Sequence, residues 1–324
     1  MSADNRAVLA IDLGGTKVLM AIVTRNGEIL WRRYYLTLAD EGPRAVLRRL
    51  TTEVRTAGAA AKSDNIELVG LGVGVAGITN INRGTVVTSP NLPAWKNVAI
   101  RDAISATSEL TTFLINDASA AALGEHRFGS GNGLHNMLYV TISTGIGGGI
   151  ILNGELYMGT DGCAGEWGHM TIVPDGPKCH CGNLGCLEAL SSGWAIARDA
   201  VAHIKKDEHS SIADLVNGNI DNITAEIVSK AAKKGDRLAC ELVDTAANYF
   251  GIGLANMVNI FNPELIIVGG GLSKMGEMFL RPARKAIRER AFHLPAKTVH
   301  IAKARLGSNA GVIGAAAYVF EQMT

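Results

Sequence analysis

The sequence lacks the features that point to export, membranes or nucleic acid. Its formal net charge is +1 at pH 7 over 324 residues, so no overall field favours polyanions. No apolar run reaches the length that crosses a bilayer, and the N-terminus lacks the charged start and apolar stretch of a secretory signal. Five cysteines, an odd number, argue against a disulfide framework. We expect a cytoplasmic protein that binds neither nucleic acid nor membranes.

Aromatic residues are also scarce, at 5% of the chain, whereas 38 residues are glycine. Glycine is abundant where the backbone turns sharply or approaches a ligand closely. The apolar fraction of 47% and the charged fraction of 19% are normal for a globular protein with a substantial core. The length suggests two domains.

Two segments of the chain repeat one pattern. Residues 7–30 (AVLAIDLGGTKVLMAIVTRNGEIL) read as strand, glycine loop, strand, Asn-Gly turn and strand, and residues 136–159 (NMLYVTISTGIGGGIILNGELYMG) repeat that order. An Asn-Gly pair between apolar runs is a strong hairpin signal, because both residues tolerate positive φ. The pattern predicts a duplicated architecture in which each half opens with a hairpin that carries a glycine loop.

Strands that alternate with helices elsewhere predict an α/β protein with parallel pairing beyond the hairpins. Helices are predicted at 43–61, 191–205, 224–234, 236–260 and 309–322. Buried strands that end in a glycine turn are predicted at 66–77 and 264–273, and a short strand at 298–302. We expect a domain boundary near residue 116. A small N-terminal lobe (1–116) is then joined by the C-terminal helix (309–324), and a large lobe spans 117–308.

The first glycine loop (residues 12–17) reads Asp12-Leu13-Gly14-Gly15-Thr16-Lys17, and the second (residues 143–149) includes Thr144 and Gly145. Glycine lets backbone N–H groups approach a phosphate, and Thr16 and Lys17 add donors. Asp12 suits Mg²⁺ or its water shell rather than the phosphate itself. Either loop alone could be a tight turn, but two of them on matched hairpins favour a bound phosphate.

One glycine motif is interpreted as a decoy. Gly72-Val73-Gly74-Val75-Ala76-Gly77 matches the dinucleotide pattern G-x-G-x-x-G. However, the residues that follow do not read as a helix, and no acidic residue lies about 20 positions further on.

Asp117 begins a predicted helix at the carboxyl end of a strand, where open α/β sheets bind ligands. A carboxylate that accepts a hydroxyl proton is what phosphoryl transfer to an alcohol needs. The adjacent Asn116 offers both donor and acceptor atoms, as suits a polyol. The structural alternative is that Asp117 only caps the helix.

Three cysteines lie close together as Cys179, Cys181 and Cys186, downstream of Glu166 and His169. The spacing C-x-C-x4-C is not the C-x-x-C redox motif. Thiolates with one imidazole suit structural Zn²⁺, and His169 and His180 are both candidates for the fourth ligand. The remaining Cys163 and Cys240 are expected to be small buried residues.

With these motifs in place, the sequence resembles the ROK family of bacterial sugar kinases and related repressors. The resemblance covers nearly the whole chain, through DLGGTK, NDASAAALGE, GEWGHM, CHCGNLGCLEA and VGGG. It implies an α/β protein of the actin-like, ribonuclease H-like ATPase fold, with two lobes and a ligand cleft between them.

The resemblance also implies roles for particular residues. Asp117 would be the general base for the sugar hydroxyl. The sugar would be held by Asn91, Asn116, Asp117, Glu166, His169 and Glu188. The zinc ligands would be His169, Cys179, Cys181 and Cys186. The ATP site would be lined by Gly14, Gly15, Thr16, Thr144, Gly145, Gly270 and Gly271.

The motifs SPNLPAW, GEWGHM and CLEALSSG are most similar to the glucokinase subgroup, although N-acetylmannosamine, N-acetylglucosamine and fructose kinases share them. The alternative of another class is a sugar-sensing regulator without catalytic activity. Repressors of the family carry a helix-turn-helix domain before the kinase-like part, and we expect none here because DLGGT starts at residue 12. The family further implies a homo-oligomer, either a dimer or a tetramer.

Overall fold

The computed structural model describes residues 5–206 and 209–323. Its strands are β1 (Arg6–Leu13), β2 (Lys17–Thr24), β3 (Ile29–Leu36), β4 (Glu67–Val75), β5 (Ile78–Asn80), β6 (Thr85–Thr88), β7 (Lys96–Val98), β8 (Thr112–Asn116), β9 (Met137–Ile142), β10 (Ile146–Leu152), β11 (Glu155–Tyr157), β12 (Leu265–Gly269) and β13 (His300–Lys303).

The α-helices of the described residues are α1 (Pro43–Ser63), α2 (Ile100–Ser108), α3 (Asp117–Phe128), α4 (Leu187–Ser191), α5 (Gly193–Ile204), α6 (Ser211–Asp214), α7 (Ala225–Lys233), α8 (Arg237–Phe261), α9 (Glu277–Arg290), α10 (His293–Thr298) and α11 (Ala310–Gln322). None of the helices in this part of the chain is long and apolar enough to span a membrane.

Two five-stranded sheets share one topology. The first has the order β3-β2-β1-β4-β8 and the second β11-β10-β9-β12-β13. In the first sheet β1, β2 and β3 are antiparallel neighbours, and β4 and β8 run parallel to β1. In the second hairpin turn both residues have positive φ as expected, 54° at Asn153 and 81° at Gly154, whereas in the first turn Gly27 has positive φ (79°) and Asn26 does not. The predicted duplication is confirmed.

The first sheet buries one face against α1. Residues Val46, Leu50 and Val54 recur every four positions along that helix and are buried, which places them on one side. They form a single core cluster with alternate residues of β1, such as Leu9 and Ile11. The buried residues of α1, which recur with the helical period, therefore pack in the core against those of β1, which recur at every second position.

The opposite face of β4 packs against α11, and this contact explains the decoy motif. A Cβ atom at Gly72 would lie 2.5 Å from the backbone oxygen of Ala315, and one at Gly70 would lie 2.7 Å from Val319 Cγ1. Glycine is needed here because a helix backbone lies directly on the strand. Strand β5, rather than a helix, follows β4, so the interpretation of G-x-G-x-x-G as a decoy is confirmed.

Several local expectations were wrong. The small sheet β5-β6-β7 and helix α2 were not predicted, because their segments are short. Helix α10 occupies most of the segment before β13, so the strand predicted at 298–302 begins at His300. Cys163 is half-buried and Cys240 is exposed. The Cys240 thiol lies 3.5 Å from the carbonyl oxygen of Ala232, which satisfies it at the helix surface.

Contacts divide the described chain into two compact units. Unit 1 takes in the chain as far as Tyr139, Gly149–Gly165 and the chain from Ala304, and unit 2 takes in Val140–Gly148 and Glu166–Lys303. This partition differs from the predicted boundary near residue 116, since α3 falls in unit 1, where it packs against α11. Helix α11 also belongs to unit 1.

Candidate functional site

The turn of the first glycine loop, Gly14–Thr16, is held by backbone hydrogen bonds in unit 1. The Gly14 N–H donates to the Lys17 carbonyl oxygen at 3.1 Å. Thr37 fastens the turn from outside, because its hydroxyl donates to the Gly14 carbonyl oxygen at 2.7 Å and its N–H donates to that of Thr16 at 2.9 Å. The loop is thus preformed.

Two carboxyl groups with raised pKa values lie near one end of the first sheet. The pKa of Asp12 is raised to about 7, chiefly by burial and secondly by the Asp117 charge, and the Lys17 charge opposes the shift. Burial likewise raises the pKa of Asp117. A Cβ atom at Gly311 would lie 2.6 Å from Asp12 Oδ2, so the start of α11 closes over this carboxyl group. Such a pair can hold a cation or accept a proton.

The N-cap of α3 is Asn116, not Asp117. Its side-chain oxygen accepts the N–H groups of Ala118 at 2.9 Å and Ser119 at 3.1 Å. Asp117 occupies the first helical position, and its Oδ1 also accepts the Ala118 N–H at 2.9 Å. The alternative prediction that Asp117 only caps the helix is therefore wrong, because Asn116 already caps it.

The Asn116 amide also reaches the loop that precedes β5. Its Nδ2 lies 3.5 Å from the Gly77 carbonyl oxygen. Gly77 has a φ of 111°, a backbone conformation that favours glycine. Asn91 lies against the first glycine loop, since a Cβ atom at Gly15 would overlap the Asn91 carbonyl oxygen. Within unit 1, Asn91, which is predicted to bind the sugar, therefore packs against Gly15, which is predicted to line the ATP site.

Lys17 is exposed at the start of β2. Its ammonium group lies 5.2 Å from the centroid of the Tyr34 ring, a cation–π contact on the surface of β3. Its role as a phosphate donor stays a prediction.

In unit 2 the second glycine loop meets the turn after β12. A Cβ atom at Gly270 would overlap the Ile142 carbonyl oxygen, and one at Gly271 would lie 3.4 Å from Ser143 Oγ. Thr144 and Gly145 follow directly in the chain. The structure therefore brings together the ATP-site residues that were predicted in this unit.

Glu188 joins the second glycine loop from α4. Its Oε2 accepts the Ile146 N–H at 2.9 Å, and a Cβ atom at Gly145 would lie 2.5 Å from that oxygen. The first residues of α5 also bind the loop, because the Gly193 N–H donates to the Ser143 carbonyl oxygen at 2.8 Å.

A four-residue cluster in unit 2 has the donor set of a metal site. One ligand atom each from His169, Cys179, Cys181 and Cys186 lies within 4.8 Å of all the others. The Cys181 and Cys186 sulfur atoms are 3.7 Å apart, and Cys179 Sγ is 3.8 Å from His169 Nδ1. Zn–S bonds of about 2.3 Å at tetrahedral angles set sulfur atoms about 3.8 Å apart. The residues fit a tetrahedral ion.

His169 faces two ways. Its Nδ1 is directed at the cysteines, and its Nε2 lies 3.9 Å from Glu166 Oε2. A carboxylate near the second ring nitrogen is the kind of neighbour that a metal-ligating histidine typically has. The other candidate, His180, stacks on Trp194 with ring centroids 4.2 Å apart, and it lies outside the set of four ligand atoms.

Some residues of the site were not predicted from the sequence. Gly311 gives Asp12 its space, and Trp194 packs against Cys179 and Cys186. A G-x-x-G pair at Gly311 and Gly314 was the available signal for the first. No motif marks the tryptophan, because its contacts depend on the folded path of the chain.

Comparisons with known proteins agree with this geometry. The model of the ROK family matches residues 8–322. The glucokinase of Thermotoga maritima is 35% identical over 316 residues, which cover 98% of each chain. A putative xylose repressor from Caldicellulosiruptor sp. is 34% identical over 318 residues, which cover 98% of this chain and 78% of the repressor.

The structural similarity is equally extensive. A crystal structure of a ROK family glucokinase from Streptomyces griseus, in complex with glucose and AMPPNP, matches with a TM-score of 0.82 at 34% identity, covering 96% of this chain and 98% of that chain. Similarity at this level confirms the predicted fold class, α/β of the actin-like type.

Proposed function

The chain belongs to the ROK family, and on that premise we propose that it is a glucokinase, which transfers the terminal phosphoryl group of ATP to glucose. The observation that carries the proposal is the position of Asp117. It stands at the first position of α3, after the carboxyl end of β8, with its pKa raised by burial. A carboxylate with a raised pKa is matched to accepting a hydroxyl proton near neutral pH.

In this mechanism Asp117 accepts the proton of the sugar hydroxyl that attacks the phosphoryl group. The sugar is assigned, as the family resemblance implies, to Asn91, Asn116, Asp117, Glu166, His169 and Glu188. Because Asn116 uses its carbonyl oxygen to cap α3, only its amide N–H group is available to a sugar hydroxyl. Positioning and charge neutralisation supply the rest of the catalysis.

The nucleotide is assigned to the two glycine loops. Backbone N–H groups would donate to phosphate oxygens from Gly14, Gly15, Thr16, Thr144, Gly145, Gly270 and Gly271. Lys17 is a further donor. Mg²⁺, when bound, neutralises phosphate charge, and Asp12 would hold it or its water shell. The AMPPNP complex of the Streptomyces griseus relative supports ATP as the donor.

His169, Cys179, Cys181 and Cys186 would hold a structural Zn²⁺, since four protein ligands leave no open position for catalysis. Burial raises the pKa of the Cys186 thiol to about 12, so the thiolate needs a cation beside it. The ion would fix His169, and with it the Glu166 side of the sugar-binding residues.

The test is ADP release from Mg-ATP with glucose, mannose, fructose, N-acetylglucosamine and N-acetylmannosamine. We expect preference for glucose and loss of turnover by at least about 1000-fold in Asp117→Asn, with glucose binding largely kept. Asp102→Asn, which changes an exposed aspartate on α2, is the matched control and should retain activity. Preference for an N-acetyl sugar or fructose would keep the mechanism and replace the substrate.

The regulator alternative is favoured by the similarity to a putative xylose repressor over 98% of this chain. Its signature is sugar binding, measured by calorimetry, without ADP release on any sugar of the panel. Unchanged turnover in Asp117→Asn would instead contradict the assignment of the base alone.

The cytoplasmic location stays a prediction, and so does the homo-oligomer. An exposed apolar surface in unit 2, formed by Ile260, Phe292 and Leu294 with exposed fractions of 67%, 78% and 70%, supports self-association. Sedimentation analysis would give the oligomeric state.

A further inference from the structure

The second glycine loop is fastened to the segment that begins at the last cysteine of the metal cluster. Three backbone groups make the attachment. The Ile146 N–H donates to Glu188 Oε2 at 2.9 Å, and the carbonyl oxygens of Ser143 and Thr144 accept the N–H groups of Gly193 at 2.8 Å and Trp194 at 3.2 Å. The loop therefore depends on residues 188–194 for its conformation.

The packing at this contact leaves no room for side chains. A Cβ atom at Gly145 would lie 2.5 Å from Glu188 Oε2, and one at Gly193 would lie 2.7 Å from the Ser143 carbonyl oxygen. A Cβ atom at Gly168, the residue before the metal ligand His169, would overlap the Ile146 carbonyl oxygen. The loop is thus held between the segment of His169 and the segment of Glu188.

The same residues are in contact with the metal cluster. Glu188 Oε1 lies 3.9 Å from Cys179 Sγ, and Cys186 directly precedes α4. Trp194 packs against the cluster of Cys179 and Cys186, and the His180 ring stacks on the Trp194 ring with ring centroids 4.2 Å apart. Glu188 and Trp194 therefore each touch the metal cluster with one part and the second glycine loop with another.

We propose that Glu188 and Trp194 are positioning residues through which the metal cluster holds the second glycine loop in the conformation that binds nucleotide. The inference rests on the proposed function, because it takes that loop as part of the ATP site. It extends the role of the metal from the sugar-binding residues to the nucleotide.

The physical reason lies in the glycine content of the loop. A glycine-rich backbone has many accessible conformations, and its ordering is costly unless other groups fix it. If the Glu188 carboxylate is removed, the Ile146 N–H loses its partner, and the loop must be ordered by the nucleotide itself. The binding affinity then falls by the cost of that ordering.

The experiment measures Mg-AMPPNP affinity without sugar, by calorimetry, in protein whose zinc content is determined by elemental analysis. Glu188→Ala should weaken binding about tenfold, the effect of one lost hydrogen bond. Glu188→Gln keeps an oxygen acceptor for the Ile146 N–H and should stay within about twofold of the wild type. Glu241→Ala, which removes an exposed carboxylate from α8, is the control and should leave the affinity unchanged.

A second pair of variants tests the other contact. Trp194→Ala removes the ring that packs on the cysteines and should weaken Mg-AMPPNP binding several-fold, whereas Trp194→Phe retains a ring and should restore most of the affinity. If Glu188→Ala does not hold zinc, the two Trp194 variants test the inference, because they keep the Glu188 carboxylate.

The outcomes separate the inference from the proposed function. Wild-type affinity in zinc-loaded Glu188→Ala, or in Trp194→Ala, overturns the inference and leaves the kinase proposal intact. Wild-type protein that is folded and zinc-loaded but does not bind Mg-AMPPNP contradicts the proposed function, and the inference fails with it.

Discussion

At the scale of single residues, Asn116 and Asp117 divide two tasks between neighbouring positions. Asn116 caps α3 with two hydrogen bonds, and Asp117 presents its carboxylate from the first helical turn. We expect Asn116→Ala to cost about 1 kcal/mol of stability and to lower kcat more than it raises KM for the sugar. Asn116→Ser retains a cap acceptor but lacks the amide that is assigned to the sugar, so it should recover most of the lost kcat while KM for the sugar stays raised. Equal losses of kcat in both variants would contradict the role of the cap in positioning Asp117.

The raised pKa of Asp12 predicts a pH dependence of stability. The folded-state pKa is about 7, against an ordinary value of 3.8, so the folded protein favours the protonated acid. Below pH 4 the group is protonated in both states and costs nothing. The loss in the free energy of unfolding grows between pH 4 and 7 and is complete above pH 7, with an upper bound of about 4 kcal/mol. Asp12→Asn should therefore stabilise the ligand-free protein at pH 8 and much less at pH 4.

This prediction is measured by denaturant unfolding across the pH range, without divalent cations. Asp40→Asn, at an exposed aspartate, is the control and should show the pH profile of the wild type. Addition of Mg²⁺ at pH 8 should reduce the advantage of Asp12→Asn, because a cation relieves the buried charge. A stability difference that does not vary with pH would contradict the raised pKa.

At the scale of elements, the contact of α3 with α11 depends on glycine. A Cβ atom at Gly314 would overlap the Ala120 carbonyl oxygen, and one at Gly124 would lie 2.6 Å from that of Ala310. Two helices approach this closely only where side chains are absent. Gly314→Ala should therefore destabilise the protein by about 3 kcal/mol through overpacking.

The matched substitution in another helix should have the opposite sign. Gly58 lies in α1, and a Cβ atom there would meet nothing within 4 Å. Gly58→Ala should stabilise the protein by about 0.5–1 kcal/mol, because alanine restricts the unfolded chain and favours the helix. The free energies of unfolding of the two variants, compared with the wild type, test whether space or helix propensity decides each effect.

At the scale of the whole molecule, the metal cluster should stabilise unit 2 selectively. The ligands extend over residues 169–186, all of them in unit 2. Because structural zinc contributes directly to folding, we expect chelation to speed hydrogen exchange across residues 166–194 and in the second glycine loop at Ile146. Helix α1, in unit 1, should keep its protection. Uniform loss of protection in both units would show that the ion supports the molecule as a whole.

Many features of this protein can be predicted from its sequence, because they depend on residues that are close together in the chain. The two hairpins follow from alternating apolar residues and Asn-Gly turns, and both features act over a few positions. The density of cysteines at 179–186 by itself indicates a metal cluster. The glycine loops were located by the same short-range pattern.

The sequence by itself determined the duplicated α/β architecture, the family and the donor types of the candidate sites. Residue chemistry left both His169 and His180 open as the fourth ligand, and the family resemblance implied His169. The tertiary structure brings His169, and not His180, within reach of the three cysteines. Only the tertiary structure decided that Gly72 is a helix contact and that Glu188 is a partner of Ile146. Each depends on atoms from residues distant in the chain, whose approach is set by packing and leaves no pattern in the local sequence.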